Sequence, residues 1–251
     1  MPSIVWNRDP EEAYINPYEH DAQKQFVREA QKLLDNLYAL YNRFNMTFAR
    51  DDISLKKAIW MLQIDALDAL RDGLESISTN RHRIAAQMFR VVVETLDLAA
   101  YLHSNSPAAQ KNLRKWYENE VIQHKIYREY IGKTLGKTAE NNRRDFYNQL
   151  SKFTHRTYRA LQKSYSLGQN DLLVYDGHDL SRSSVLPHTI AAYYANLADL
   201  ITIFCEEATA REILTQSEVD QARQSSLEAA TVPRRFAIQT SPNWPGILEN
   251  T

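Results

Sequence analysis

The 251 residues contain 30 Lys and Arg against 31 Asp and Glu, so the formal net charge of -1 gives no whole-protein argument for a polyanionic partner. Hydrophobic residues make up 43% of the chain, with only 6 Gly and 8 Pro, which favours long helices over a turn-rich β fold. The single cysteine, Cys205, excludes a disulfide within these residues, and its apolar neighbours predict a buried, inert thiol.

The chain offers no membrane segment. Residues 1–17 combine acidic side chains with prolines and contain no apolar run, so we expect an irregular arm rather than a signal peptide or an anchor. No stretch approaches the roughly 18 consecutive apolar residues that a membrane span needs. We therefore expect a cytoplasmic protein.

Apolar residues recur at helical spacing along most of the chain and predict about seven helices. In chain order these are residues 18–50, 54–76, 79–103, 107–133, 139–167, 187–214 and 217–230. Ser106 and Pro107 supply an N-cap and a first-turn proline for the fourth helix, which we expect to break near Asn119. Gly168 is placed to end the fifth helix, and Ser217 to cap the last.

Two segments lack the helical pattern. The loop at residues 169–185 contains Leu172 to Tyr175, which we expect to form a short strand or hairpin. The tail at residues 231–251 holds three prolines and is a packed arm or disordered. No linker divides the rest, so we predict an all-α fold: a single up-and-down helical bundle at residues 18–230, with an arm and a tail.

Two of the predicted helices are apolar around most of their circumference yet carry a narrow polar ridge. At steps of three and four residues, side chains of the same helix share a face. The ridge of the third helix contains Arg83, Gln87, Arg90, Glu94 and Asp97, and that of the fifth contains Tyr147, Ser151, His155 and Tyr158. If the ridges face each other, they form a polar seam inside the bundle.

Each ridge has a structural and a functional interpretation. Arg90 and Glu94 are either a buried ion pair or a site where Arg90 binds a phosphate or carboxylate while Glu94 orients it. His155 either joins two helices by hydrogen bonds or acts as an acid or base. Ser151 is a weaker candidate nucleophile, because a serine inside a helix usually bonds the carbonyl one turn back. The five catalytic candidates are therefore Arg90, Glu94, Tyr147, Ser151 and His155.

Charge is concentrated in one region. Residues 111–165 contain 13 Lys and Arg against 5 Asp and Glu, a net charge of +8, interleaved with aromatic residues. An exposed surface of this kind suits single-stranded RNA, because cations follow the phosphates and rings stack on bases. The alternative is that the rings belong to the core and the cations pair with acidic helices. The candidate nucleic-acid contacts are Arg143, Arg144, Lys152, Arg156 and Arg159.

Metal and nucleotide motifs do not occur in the sequence. The seven histidines are scattered, and Glu120 with His124 is only a lone pair one turn apart. There is no glycine-rich phosphate loop. We expect neither a metal nor another cofactor.

The two ridge motifs, followed by a final apolar helix, resemble HEPN-like helical proteins, and in particular bacterial branches with a Leu-Ser-x-x-x-His step. The motifs are Arg90-x-x-x-Glu94 and Tyr147-x-x-Leu150-Ser151-x-x-x-His155, and the resemblance covers about residues 55–212. It implies a metal-independent ribonuclease of a defence or toxin-antitoxin system that acts as a dimer.

The chain departs from the signature of that superfamily. In the signature, an arginine stands about five to seven residues before the histidine, but here positions 148–150 hold Asn, Gln and Leu, and Arg144 lies farther upstream. Three hypotheses stay open: an RNA-binding protein or ribonuclease, a noncatalytic helical interaction or dimerisation module with buried polar networks, and a small-ligand pocket between helices.

Overall fold

The structure, a computed structural model, describes residues 19–79, 81–155, 158, 161, 165–167, 170, 172–175, 187–229, 236 and 238. These residues form eight helices and one two-stranded antiparallel sheet. The helices are α1 (Glu19–Asn42), α2 (Leu55–Ser78), α3 (His82–His103), α4 (Pro107–Tyr117), α5 (His124–Leu135), α6 (Lys137–Thr154), α7 (Pro187–Ala210) and α8 (Gln216–Ser226). The predicted all-α helical bundle is confirmed, and the count exceeds seven because the predicted break separates α4 from α5.

Local signals explain where several helices begin. Ser54 caps α2 by accepting a hydrogen bond from the backbone N–H of Lys57 at 3.2 Å. Ser106 caps α4 in the same way, and Pro107 occupies its first turn. Asn119, in the predicted break, has a φ of 64°, in the left-handed region that continues no helix.

Helix α3 lies at the centre of the bundle. It packs against α2, α5, α6 and α7, and its buried Phe89 lies in the core with Tyr41 and Phe204. A Cβ added to Gly73 would lie 3.2 Å from the ring of Phe89, so glycine lets α2 and α3 approach closely. One polar pair in this core is hydrogen-bonded: the Tyr41 hydroxyl donates to Oε1 of Gln63 at 2.7 Å.

The predicted helix at 139–167 is interrupted at His155 and wrong at its end, although the described residues 158 and 161 are helical. Helix α6 ends at Thr154, and Tyr165–Leu167 forms strand β1, which pairs with strand β2 at Leu173–Tyr175. Tyr165 lies opposite Tyr175 and Leu167 opposite Leu173, so these backbone groups bond across strands instead of along a helix. The short strand expected within Leu172 to Tyr175 is confirmed. Gly168, which was expected to end the fifth helix, lies outside the described residues.

Other boundaries also shift. Helix α1 ends at Asn42 rather than near residue 50, and Met46 follows in the left-handed region. Helix α7 ends at Ala210, and α8 ends at Ser226. Thr215, not Ser217, caps α8.

The arm at residues 1–17 lies outside the described residues. Of the tail, Phe236 and Ile238 are described, and the Phe236 ring packs 5.4 Å from that of Phe26. In the described part of the chain, no helix has both the length and the apolar character to cross a membrane.

Candidate functional site

The polar ridges of α3 and α6 face each other. Nη2 of Arg90 donates to the hydroxyl of Tyr147 at 2.6 Å, and Nε of the same guanidinium donates to Oε1 of Glu94 at 3.0 Å. The Arg90 side chain is 23% exposed and that of Glu94 is 30% exposed. Solvent therefore reaches this end of the seam.

A second ion pair lies farther along α3, at the buried end of the seam. Asp97 is 2% exposed and forms an ion pair with Arg143, which is 7% exposed. Burial raises the pKa of Asp97 to about 6, and the nearby Arg143 offsets only part of this effect. Removing either partner would leave the other charge enclosed, so this pair is a structural element of the seam.

Helix α5 adds two residues at the partly exposed end of the seam, where Arg90 and Glu94 lie. The ring of His124 stacks on that of Tyr147, with centroids 4.2 Å apart and an interplanar angle of 30°. Nη2 of Arg128 lies 3.2 Å from Nδ1 of His124, and the Arg128 guanidinium lies 5.6 Å from the centroid of Tyr147. We call Arg90, Glu94, His124, Arg128 and Tyr147 the seam cluster.

The contact with Arg128 determines the tautomer of His124. A guanidinium can only donate, so Nδ1 must accept and the ring hydrogen is assigned to Nε2. Nε2 is buried and has no hydrogen-bond partner among the described residues. Burial, followed by the charges of Arg128 and Arg90, lowers the pKa of His124 to about 4, against the opposing effect of Glu94. At neutral pH the imidazole is uncharged.

The seam cluster has more positive than negative charge. Glu94 neutralises Arg90, whereas no carboxylate of the described residues lies within 4.0 Å of the Arg128 guanidinium. Arg128 is half-buried, so water screens its charge only in part. With His124 neutral, the cluster carries one net positive charge and presents several N–H donors. It is suited to an anion.

The structure does not bring His155 into this cluster. His155 is exposed at the end of α6, where its backbone N–H donates to the carbonyl of Ser151 at 3.0 Å. Its ring makes no hydrogen bond or ion pair with any residue that the structure describes. The eight residues from Tyr147 to His155 correspond to about 12 Å along a helix axis. A site shared by His155 and Arg90 does not form here.

Ser151 also lacks the geometry of an activated nucleophile. Its Oγ donates to the carbonyl of Tyr147 at 2.8 Å, the bond to the preceding turn that a serine inside a helix usually makes. No described histidine lies within hydrogen-bond distance of that oxygen. Of the five catalytic candidates, Arg90, Glu94 and Tyr147 meet in the seam cluster, and the other two do not join it.

The nucleic-acid candidates differ in exposure. Arg143 is buried against Asp97, so the prediction that it contacts nucleic acid from the surface does not fit. Arg144 and Lys152 are exposed, and Arg144 lies 3.7 Å from the carboxylate of its neighbour Asp145. The other two candidates, Arg156 and Arg159, lie outside the described residues.

Several aromatic residues of the basic segment belong to the core. Tyr127 is 5% exposed, Phe146 is fully buried, and Trp116 and Tyr130 pack against the core from its edge. Tyr158 is 68% exposed. For Tyr127 and Phe146 the core interpretation is therefore correct, whereas Trp116 and Tyr130 are only partly buried.

Sequence reasoning missed His124 as part of the site and did not consider Arg128. The available signal was their spacing of four residues, which puts both on one helix face. Nothing local shows that this face of α5 packs on both α3 and α6. In the described ranges, no three His, Cys, Asp or Glu side chains are arranged to hold a metal ion.

Comparison with known proteins adds no constraint on this site. No family model matches the chain, no curated protein matches it, and no solved structure does. The resemblance to HEPN-like proteins therefore stays a prediction, and the chemistry of the site is argued from its own geometry.

Proposed function

We propose that the protein binds RNA and that the seam cluster contacts a phosphate group of the bound strand. The observation that supports this concerns Arg128, whose half-buried guanidinium lies near the Tyr147 ring, as that of Arg90 does, and has no carboxylate within ion-pair distance among the described residues. Guanidinium groups donate two parallel hydrogen bonds to phosphate oxygens, and partial burial strengthens such bonds. One net positive charge matches one phosphodiester.

The charge distribution around the cluster supports the same proposal. Residues 111–165, which include α5 and α6, carry a net charge of +8 in a chain whose total is -1. Lys133, Arg144 and Lys152 are exposed on these two helices. Exposed cations attract a polyanion over long range, and this attraction weakens as salt increases.

Binding can be tested with fluorescently labelled single-stranded RNA of mixed sequence, at low and moderate salt. Arg128→Gln is expected to weaken binding at least about tenfold, the effect of losing one charge-assisted hydrogen bond of roughly 1.5–3 kcal/mol. The matched control is Arg71→Gln. Arg71 also lies over a tyrosine ring, that of Tyr38 at 5.2 Å, but on α2, and it has a carboxylate neighbour in Asp35. Salt-insensitive binding, or equal losses in both variants, would contradict the proposal.

Cleavage is a separate proposal, and it comes from the HEPN-like resemblance. It assigns metal-independent hydrolysis to His155, in a defence or toxin-antitoxin system. Because His155 lies outside the seam cluster, the RNA would have to extend from the cluster to the exposed end of α6. Cleavage by the wild-type protein in the presence of a chelator, lost in His155→Ala with RNA affinity retained, is the expected result. No cleavage by the wild-type protein would reject this proposal and leave binding.

A second candidate function is a noncatalytic interaction or dimerisation module. It is favoured by the way the seam residues bond each other, as Arg90 does with Glu94 and Tyr147, and Arg143 with Asp97. Here Glu94→Ala would lower the melting temperature, and no RNA would be retained at low salt. A concentration-dependent homodimer in sedimentation experiments, without RNA binding, would favour this function over the first.

A further inference from the structure

We propose that His124 is a proton-dependent anion ligand: a phosphate group bound between Arg90 and Arg128 draws Arg128 from Nδ1 of His124, which then takes up a proton and donates a hydrogen bond to the anion. This inference rests on the proposed RNA binding, since it concerns the same cluster. It predicts that binding strengthens as the pH falls.

The resting geometry blocks protonation of the ring. Nδ1 of His124 accepts from Nη2 of Arg128 at 3.2 Å, so a proton on Nδ1 would bring two donors face to face. Nε2 already carries a hydrogen and is enclosed without an acceptor among the described residues. The ring is fixed between Tyr147, at 4.2 Å, and Tyr127, at 4.8 Å. Protonation therefore requires Arg128 to move.

The net positive charge around His124 also opposes protonation of the ring. Arg128 on its own helix and Arg90 on α3 are cations, and Glu94 on α3 is the one carboxylate of the described residues that acts on the ring in the other direction. Tyr147 on α6 and Tyr127 on α5 are neutral phenols near neutral pH. Burial, together with the charges of Arg128 and Arg90, holds the pKa of His124 at about 4.

A bound oxyanion reverses both obstacles. It adds a negative charge beside the imidazole, and it gives Arg128 a better acceptor than a neutral ring nitrogen. Nδ1 then takes a proton from hydronium in the solvent, so that an N–H bond forms as an O–H bond breaks, and the imidazolium becomes a further hydrogen-bond donor to the anion. By linkage, an anion that raises the proton affinity of His124 is itself bound more tightly at low pH.

The test is the dissociation constant for single-stranded RNA between about pH 5 and 8, at constant ionic strength, in wild-type protein and His124→Gln. For the uptake of one proton, affinity rises by up to about tenfold per pH unit. His124→Gln keeps a polar side chain that cannot be protonated, so its affinity is expected to change little with pH. His103→Gln is the matched control because His103 has the same kind of contact, Nδ1 at 3.3 Å from Nη1 of Arg211, outside the cluster. It should retain the wild-type pH dependence.

The possible outcomes separate this inference from the proposed function. RNA binding with the same pH dependence in wild type and His124→Gln would overturn the role of His124 and leave RNA binding intact. Absence of RNA binding at every pH would reject the proposed function.

If the protein binds no RNA, or if His124→Gln does not fold, an NMR titration of the wild-type imidazole resonances decides whether an anion and a proton bind His124 cooperatively. Sulfate serves as a tetrahedral oxyanion that does not itself titrate in this range, so it also separates a free oxyanion from an RNA phosphate. A His124 titration midpoint that rises with sulfate supports the coupling, and an unchanged midpoint overturns it.

Discussion

The hydroxyl of Tyr147 lies 2.6 Å from Nη2 of Arg90, and this hydrogen bond joins α6 to α3 at the open end of the seam. The ring of the same tyrosine stacks on His124, and the Arg128 guanidinium lies beside it. Tyr147 is thus the point at which α3, α5 and α6 meet. Its hydroxyl and its ring make separate contributions, which substitutions can distinguish.

Tyr147→Phe should destabilise the protein by about 0.5–1.5 kcal/mol, because it removes one hydrogen bond but keeps the stacked ring. Tyr147→Ala also removes the contacts with His124 and Arg128, and we expect a loss of roughly 3 kcal/mol or more. Urea unfolding followed by circular dichroism would measure both. Equal losses would show that the ring does not join the helices.

The pair of Asp97 and Arg143 predicts a different pattern. Arg143→Met should cost about 3–5 kcal/mol, because it leaves the Asp97 carboxylate enclosed without its cation. The double variant Asp97→Leu with Arg143→Met removes both charges and should recover most of that loss. Unfolding free energies of the two variants test this. Additive or greater loss in the double variant would show that the pair itself provides net stability.

The depressed pKa of His124 predicts how stability changes with pH. The group has a pKa of about 4 in the folded protein, against about 6.5 when unfolded, so the unfolded state binds more protons between these values. The contribution of His124 is therefore fully present above about pH 6.5 and is lost as the pH falls toward 4.

A comparison of variants isolates this effect. Asp97 acts in the opposite direction over part of the range, since its raised pKa favours the folded state at low pH and this advantage is lost as the pH rises through about 6. Wild-type protein and His124→Gln share that contribution. Melting temperatures from pH 7.5 to 4.5 should therefore fall more steeply in the wild type, and parallel curves would contradict the assignment.

Much of the fold was predictable because its signals are local. The caps at Ser54 and Ser106 and the break near Asn119 each depend on residues within one turn. The strand at Tyr165–Leu167 was not predictable in this way. Tyr165 to Leu167 continues an apolar helical pattern, and its strand conformation depends on a partner strand beginning six residues later at Leu173.

The candidate site also has some features that local spacing predicts and others that depend on how the helices pack. The spacing of Arg90 and Glu94 indicated their pairing, because both lie on one helix face. Whether a polar ridge meets cations or aromatic rings depends on which helix packs against it. The loop before α5 returns the chain so that His124 and Arg128 reach Tyr147 on α6, and no spacing within α5 contains that information.

The start of α8 provides a test of local capping with an internal control. The side chain of Thr215 accepts from the backbone N–H of Glu218 at 3.3 Å, while the Glu218 carboxylate accepts from the N–H of Thr215 at 2.7 Å. This reciprocal pair satisfies two N–H groups that the helix leaves free. Thr215→Ala should therefore lower the unfolding free energy by about 1 kcal/mol.

Ser217, two residues later, is exposed and makes no side-chain hydrogen bond with a described residue, so Ser217→Ala should have an effect within about 0.5 kcal/mol. Chemical denaturation of both variants measures the difference, and a larger loss for Ser217→Ala would mean that the helix begins where the sequence alone predicted.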